Sequence, residues 1–259
     1  MGIVNVTPDS FFDGGHHAST QAAIDHALRL IEEGADILDI GGESTRPGAA
    51  MVGEQEELDR VLPVIEGLRG IQIPISIDTY KPSVMRAALV GGASMVNDVN
   101  ALQAEGALDA INMSDAGLCL MHKQGTPETM QLRPAYQNVL EEVSAFLRER
   151  IAALEAAGIT RQRIVIDPGF GFGKTLAHNL ELLRQLDSLK KLGVPILAGL
   201  SRKSMLGAIT GRDVGDRVVA SVTAAMLAVQ RGAAIVRVHD VRETVDALKI
   251  LNAVNKEMR

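Results

Sequence analysis

One unit recurs from end to end of this chain: a short run of β-branched or apolar residues, a loop rich in Gly, Pro or Ser, and an amphipathic stretch long enough for a helix. The runs fall at 2–6, 36–40, 74–78, 95–98, 118–122, 163–167, 195–199 and 235–239. Strands that alternate with helices pair in parallel through right-handed crossovers. Eight such units are the number that closes a barrel, and the 259 residues match the roughly 250 typical of one. The expectation is an α/β chain folded as a (β/α)8 TIM barrel, eight parallel strands inside a ring of helices. A doubly wound open sheet is the alternative. The even spacing of the units and the polar residues at nearly every strand end favour the closed barrel.

The helical stretches carry the period that this fold needs. Ile24, Ala27, Leu28 and Ile31 recur at helical spacing, as do Val139, Val143, Phe146, Leu147, Ile151 and Leu154, and Leu180, Leu183 and Leu186. Gly34, Gly158, Gly193 and Gly232 stand where helices should end, just before strands. Pro82 suits a helical first turn. No linker, low-complexity stretch or break in composition divides the chain, so residues 1–259 read as one domain.

Composition excludes several functions. A net charge of −6 disfavours binding to nucleic acid, which calls for a basic face. Aromatic residues are only 3% of the chain, so a base-stacking platform is also disfavoured. Cys119 is the single cysteine, which rules out an intramolecular disulfide and a multi-cysteine metal cluster; it reads as a buried structural thiol. No signal-like segment opens the chain, and no apolar run approaches the roughly 18 residues of a membrane span, so a cytoplasmic location without membrane partners is expected.

The residues that end the runs are the more informative feature. They include Asn5, Asp39, Asp78, Asn97, His122, Asp167 and His239, with Arg237 two positions before His239 and so facing the same side. Any one strand-end Asp or Asn is usually a turn former or a helix cap. Seven polar ends gathered on the catalytic face of one barrel instead make a polar pocket suited to a planar heterocycle. The loop after the first run, 5–15, mixes carboxylates, glycines and Phe11 and Phe12, and reads as a lid; 41–48 reads as a second, with Arg46 able to hold an anion. The segment 167–175 tempts a phosphate-loop reading but carries Pro168 where that motif needs glycine. Ser201-Arg-Lys-Ser-Met-Leu-Gly207, after the seventh run, could clamp phosphate or simply cap a helix.

Several of these segments are long, ordered motifs. Asn5-Val-Thr-Pro-Asp-Ser-Phe11, Asp39-Ile-Gly-Gly-Glu-Ser-Thr-Arg-Pro-Gly48, Asp167-Pro-Gly-Phe-Gly-Phe-Gly-Lys174, Ser201-Arg-Lys-Ser-Met-Leu-Gly207 and Arg237-Val-His239 resemble those of the dihydropteroate synthases, a family of pterin-binding enzymes. The resemblance runs over essentially the whole chain. It implies condensation of 6-hydroxymethyl-7,8-dihydropterin pyrophosphate with p-aminobenzoate through a carbocation at the pterin methylene. It also implies a homodimer and Mg2+ as cofactor. Members usually carry an N-terminal extension ahead of the first barrel strand; here it is expected to be missing, because Met1 leads straight into the strand.

Carried over residue by residue, the resemblance assigns the pterin to Asp78, Asn97, Val99, Met121, Asp167 and Lys203. Pyrophosphate falls to Asn5, Thr45, Arg237 and His239, with Asn5 also holding the metal. p-Aminobenzoate falls to Thr45, Arg46, Pro47, Phe172 and Ser204. Asp9, Arg46 and Lys203 take the catalytic roles. Two rivals share parts of this pattern: a corrinoid methyltransferase using methyltetrahydrofolate, and a pterin-binding paralogue without turnover. The Ser-Arg-Lys-Ser segment and two lid loops argue against the first, and retention of Asp9, Thr45, Arg46 and Lys203 against the second.

Overall fold

The computed structural model describes residues 1–7, 15–44, 51–112, 114–125, 129–130 and 134–255, with the backbone alone over 15–19. Its strands are β1 (Gly2–Asn5), β2 (Leu38–Gly41), β3 (Ile75–Asp78), β4 (Met95–Asp98), β5 (Gly117–Met121), β6 (Ile164–Asp167), β7 (Leu197–Ala198) and β8 (Ile235–Val236). The helices are α1 (Gly15–Glu32), α2 (Glu54–Gly67), α3 (Pro82–Gly91), α4 (Ala107–Ile111), α5 (Val139–Ala156), α6 (Leu176–Arg184), α7 (Ser204–Thr210), α8 (Val218–Gln230) and α9 (Val241–Asn255).

β1 to β6 pair in sequence order, all parallel, and β7 pairs with β8. Single parallel bridges join the two sheets, Ile166 to Ile196 and Gly2 to Val238. At the second join Ile3 N–H donates to Val238 O at 3.0 Å and Val238 N–H to Met1 O at 2.9 Å. The ring is closed, as the eight recurring units require. The seventh and eighth strands are shorter than the runs at 195–199 and 235–239 suggest. Successive N–H groups of Ala234 and Ile235 share the Ile196 carbonyl, at 2.8 and 3.1 Å, and this bulge interrupts the regular ladder.

Side-chain alternation divides the strands into two cores. Val4, Ile40, Ile77, Val96, Leu118, Leu120, Ile166, Ile196 and Val238 face the helices and join the large outer core. Met1, Met95, Cys119 and Leu197 form a separate inner cluster, with Ile37, Val165 and Ile235 against it, and Cys119 is fully buried as expected. This apolar plug fills the lower interior of the barrel, so the polar inward residues gather above it.

Gly34, Gly158, Gly193 and Gly232 all take positive φ at the expected helix ends, and Pro82 opens α3. Two helix readings need correction. The buried face of α1 is Ala23, Ala27 and Leu30, with Leu28 43% exposed, because the sheet is approached by the small residues. Leu186 is buried, but α6 ends at Arg184 and Leu186 opens the following 3-10 segment, Leu186–Leu192. Among the described residues no helix is long and apolar enough to cross a membrane.

Candidate active site

The ladder register levels the upper ends of the first four strands: Asn5 stands opposite Gly41, Gly41 opposite Asp78, and Asp78 opposite Asn97. Asp39, one pleat lower, is wholly buried. A carboxylate there needs a cation and donors, since removing a charge from water without them costs several kcal/mol. Arg237 supplies the cation: its Nε donates to Asp39 Oδ2, and its Nη2 donates to Asp78 Oδ2 at 2.7 Å. Asn97 Nδ2 donates to the same Asp39 oxygen at 3.0 Å. Asp39 Oδ1 finds no partner among the described residues. One arginine, two carboxylates and an amide thus tie β2, β3, β4 and the chain after β8 together.

Burial pushes the Asp78 carboxyl up to about 7, Arg237 working against the shift and Asp39 adding to it. Burial also opposes the Arg237 charge, but Asp39 and Asp78 outweigh it and hold the guanidinium above its ordinary pKa. Two of the guanidinium nitrogens are therefore committed to carboxylates, a structural duty that the anion-binding assignment did not foresee.

A second pair faces this network. Asp167, at the end of β6 and 5% exposed, accepts from Gly169 N–H through Oδ1 at 2.7 Å. Its Oδ2 turns towards Gly199: a β-carbon placed on that glycine would lie 3.8 Å from Asp167 Oδ2, 3.9 Å from Lys203 Nζ and 3.9 Å from Arg237 Cβ. Gly199 therefore keeps open a space walled by one carboxylate and two cationic side chains. Lys203 donates to Phe170 O, and its ammonium lies 4.9 Å from the centre of the Phe172 ring. Burial lowers the Lys203 ammonium to about 8, with Asp167 pulling the other way, and burial raises the Asp167 carboxyl.

The loop 169–173 lies backbone against backbone on 122–124. Gly169 has φ +69°, and a β-carbon on it would fall 1.8 Å from His122 O. No side chain fits there. Lys174, which ends the loop, is 3% exposed and was given no role in the sequence. Its Nζ donates to Gly169 O at 2.9 Å and Phe172 O at 3.0 Å, and lies 3.0 Å from His122 Nδ1. Burial brings the Lys174 ammonium down to about 7; burial and Lys174 together bring His122 down to about 3, so His122 is neutral and its Nδ1 can accept.

On the far side, Ser201 Oγ accepts from His239 N–H at 3.1 Å and lies 2.9 Å from His239 Nδ1. The hydroxyl thus fixes the position of the ring, whichever nitrogen carries the proton. Arg202 holds this turn at φ 57° through an ion pair with Asp240.

At the entry to the second long loop, Lys81 bridges Glu43 and the buried Glu57, and Arg60 Nη1 donates to Gly42 O at 2.7 Å. Thr45, Arg46 and Pro47, like Asp9 in the first loop, lie outside the described residues.

The structure brings Asp78, Asn97, Asp167, Lys203 and Arg237 around one opening. Met121 and Val99 are buried at 4% and 8%, while Ser204 opens α7 in an exposed position. Asp39 was legible only as one strand-end polar residue. No local signal in the sequence pairs it with Arg237, since Arg163 opens the run 163–167 in the same inward phase.

Residues 1–239 match the family model described as pterin binding enzyme. The dihydropteroate synthase of Neisseria meningitidis serogroup C is 53% identical over 259 residues, spanning 98% of this chain and 92% of that one. Among solved structures, Xanthomonas albilineans dihydropteroate synthase with 4-aminobenzoic acid superposes with a TM-score of 0.94 at 56% identity, covering 99% of this chain and 93% of that one. The same organism's dihydropteroate synthase in complex with 7,8-dihydropteroate gives 0.91 at 53% identity, with the same coverage of 99% and 93%.

Proposed function

This chain belongs to the pterin-binding enzyme family, and from that membership and the geometry of its site we propose that it joins 6-hydroxymethyl-7,8-dihydropterin pyrophosphate to p-aminobenzoate, the dihydropteroate synthase reaction. The observation that carries the reading is the ring of inward groups around Gly199: a buried carboxylate at Asp167 and a lysine at Lys203, with Asp78, Asn97 and Arg237 beside them. A pterin presents ring and amino N–H donors on one edge and acceptors elsewhere. Asp167 Oδ2 and Asp78 can take the donors, Asn97 can serve either sense, and Lys203 can donate to the acceptors. Met121 and Val99 supply the apolar flank of the ring.

His239 and Arg237 stand at the upper rim of β8, suited to the pyrophosphate, and Asn5 ends β1; Thr45 is assigned to the same group by the motif alone. Ser201 holds the His239 ring in place for this role. No three His, Cys, Asp or Glu side chains among the described residues gather into a metal cage. The Asn5 amide oxygen, at the end of β1, would hold Mg2+ together with substrate oxygens, since this ion keeps few protein ligands. When bound, it neutralises charge on the departing pyrophosphate.

The chain's own residues do the rest. Asp167, Asp78 and Lys203 orient the ring, and the carbon–oxygen bond at its methylene breaks as pyrophosphate leaves. The resulting cation is delocalised into the pterin, and Asp9 stabilises it. The neutral aniline nitrogen attacks the methylene and then loses a proton. Arg46 assists closure over p-aminobenzoate, which lies among Thr45, Arg46, Pro47, Phe172 and Ser204.

We take residues 1–259 as one domain. A homodimer through the last helices is supported by Val219, Ile250 and Val254, which leave α8 and α9 with exposed apolar side chains at 79%, 64% and 75%. The test is pyrophosphate release from the pterin pyrophosphate with and without p-aminobenzoate and Mg2+. Release that needs all three, with 7,8-dihydropteroate formed, is expected. No binding of the pterin pyrophosphate to folded protein would overturn the reading.

A further inference from the structure

The buried ammonium of Lys174 sits in a cradle of main-chain oxygens. Gly169 O and Phe172 O accept from it, His122 O lies 3.4 Å away, and the neutral His122 ring turns Nδ1 to it at 3.0 Å. These partners are carbonyls and an imidazole, so the cation is held by the backbone at the cost of its hydration. Burial opposes this charge while Asp167 favours it, and a lysine kept at that cost argues that it fixes something. What it fixes is the loop 169–173, whose glycines at 169, 171 and 173 all take positive φ and whose backbone rests on residues 122–124. Within this loop the carbonyls of Gly169 and Phe172 converge, and Lys174 stands where they meet.

That loop touches both charged groups of the pocket. Gly169 N–H donates to Asp167, Phe170 O accepts from Lys203, and the Phe172 ring faces the Lys203 ammonium. Tyr136 Oη tethers the loop from outside, donating to Gly173 O at 2.9 Å. From inside, Asn179 Oδ1 accepts from Gly171 N–H at 2.8 Å, and Lys174 draws Gly169 O and Phe172 O together beside the strand-end residue His122.

We propose that Lys174 is a positioning residue: by gathering Gly169 O, Phe172 O and His122, it sets the loop that aims Lys203 and Asp167 at the pterin ring. The inference rests on the pterin-binding reading. It assigns Lys174 no contact with substrate and no step in the reaction.

The test measures dissociation constants for the pterin pyrophosphate, KM for p-aminobenzoate, and kcat. The proteins are the wild type, Lys174→Met, Lys203→Met and the double variant. Loss of the ammonium leaves buried carbonyls without a donor, and the loop is expected to shift enough to weaken the pterin pyrophosphate about tenfold. KM for p-aminobenzoate should rise as well, since Phe172, whose carbonyl Lys174 holds, is assigned to that substrate. In the double variant the two losses should fall well short of their product, because Lys174 acts through Lys203. Should Lys174→Met fail to fold, Lys174→Gln keeps amide donors one bond short of the cradle, and an intermediate loss is expected. Folded variants with wild-type affinity for the pterin pyrophosphate, or losses that multiply in the double variant, would overturn the proposal while leaving the reaction assignment standing. A folded wild type that does not bind the pterin pyrophosphate would overturn both.

Discussion

Replacing Asp167 by Asn separates the pterin-binding role of this carboxylate from any part in stability. The two oxygens do different work. Oδ1 takes the Gly169 N–H at 2.7 Å, and Oδ2 faces the space beside Gly199, near Lys203. An amide keeps its oxygen on Gly169 and must then point an NH2 group at the pocket. Donors on the pterin edge meet a donor, and Lys203 loses the negative charge that faces it. One charge-assisted hydrogen bond contributes about 2–3 kcal/mol, so the pterin pyrophosphate should bind roughly 30- to 150-fold more weakly. Folding should not suffer. Burial raises the Asp167 carboxyl, which means that the native state disfavours its charge, and a neutral amide of the same shape removes that cost. Titration calorimetry with the pterin pyrophosphate, run beside a thermal melt, reads both effects. Affinity within about threefold of wild type, in a protein with an unchanged melt, would mean that Asp167 does not meet the pterin and the pocket is misassigned.

Asp39→Ala should behave in the opposite way, destabilising the fold by about 3 kcal/mol because Arg237 and Asn97 lose a buried partner. Urea denaturation checks it, and a loss below about 1 kcal/mol would remove Asp39 from the centre of the network. Ser201→Ala removes the hydroxyl that holds the His239 ring and should raise the KM for the pterin pyrophosphate about fivefold, while a pterin lacking the pyrophosphate binds as before. For Lys203, with its native value near 8, pterin affinity should fall as pH rises through about 8, since the ammonium is the better donor. Stability should move the other way over the same window. The unfolded lysine still holds its proton up to about 10.5, so the native state gains as pH rises from about 8, and Lys203→Met should abolish both trends. Arg46→Ala should lower turnover more than pterin affinity, and equal losses in steady-state and binding assays would count against its place over p-aminobenzoate.

The barrel and its polar rim were legible because both rest on short-range periodicities. Alternation along β3 puts Ser76 and Asp78 inside with Ile75 and Ile77 outside, and this can be read without knowing any neighbour. The spacing of Val139, Val143, Leu147 and Ile151 gives α5 in the same way. Pairings between distant elements were not legible in that sense. Arg237 reaches Asp39 and Asp78 across the barrel, and nothing local to any of the three residues encodes the partnership. Lys174 was hidden differently. Its segment carries glycines in a spacing close to that of a phosphate loop, whereas here two carbonyls of the loop meet the lysine beside them. The shift of the buried face of α1 to Ala23, Ala27 and Leu30 reflects which side the sheet approaches, a tertiary choice that helical period leaves open by about one residue.

The join between Gly2 and Val238 has a consequence for how the chain reaches this shape. The first strand of the ring is completed by the last, so during synthesis β1 waits for this partner until the eighth unit has emerged. Closure of so long a loop adds little to the equilibrium cost but much to the time taken. An open edge kept for that interval is an invitation to pair with another nascent chain. The seam that completes the ring should therefore form late, and Arg237 and His239, which flank it, can take their places only then. A partly folded chain would hold the carboxylates of the pocket without the cation that balances them.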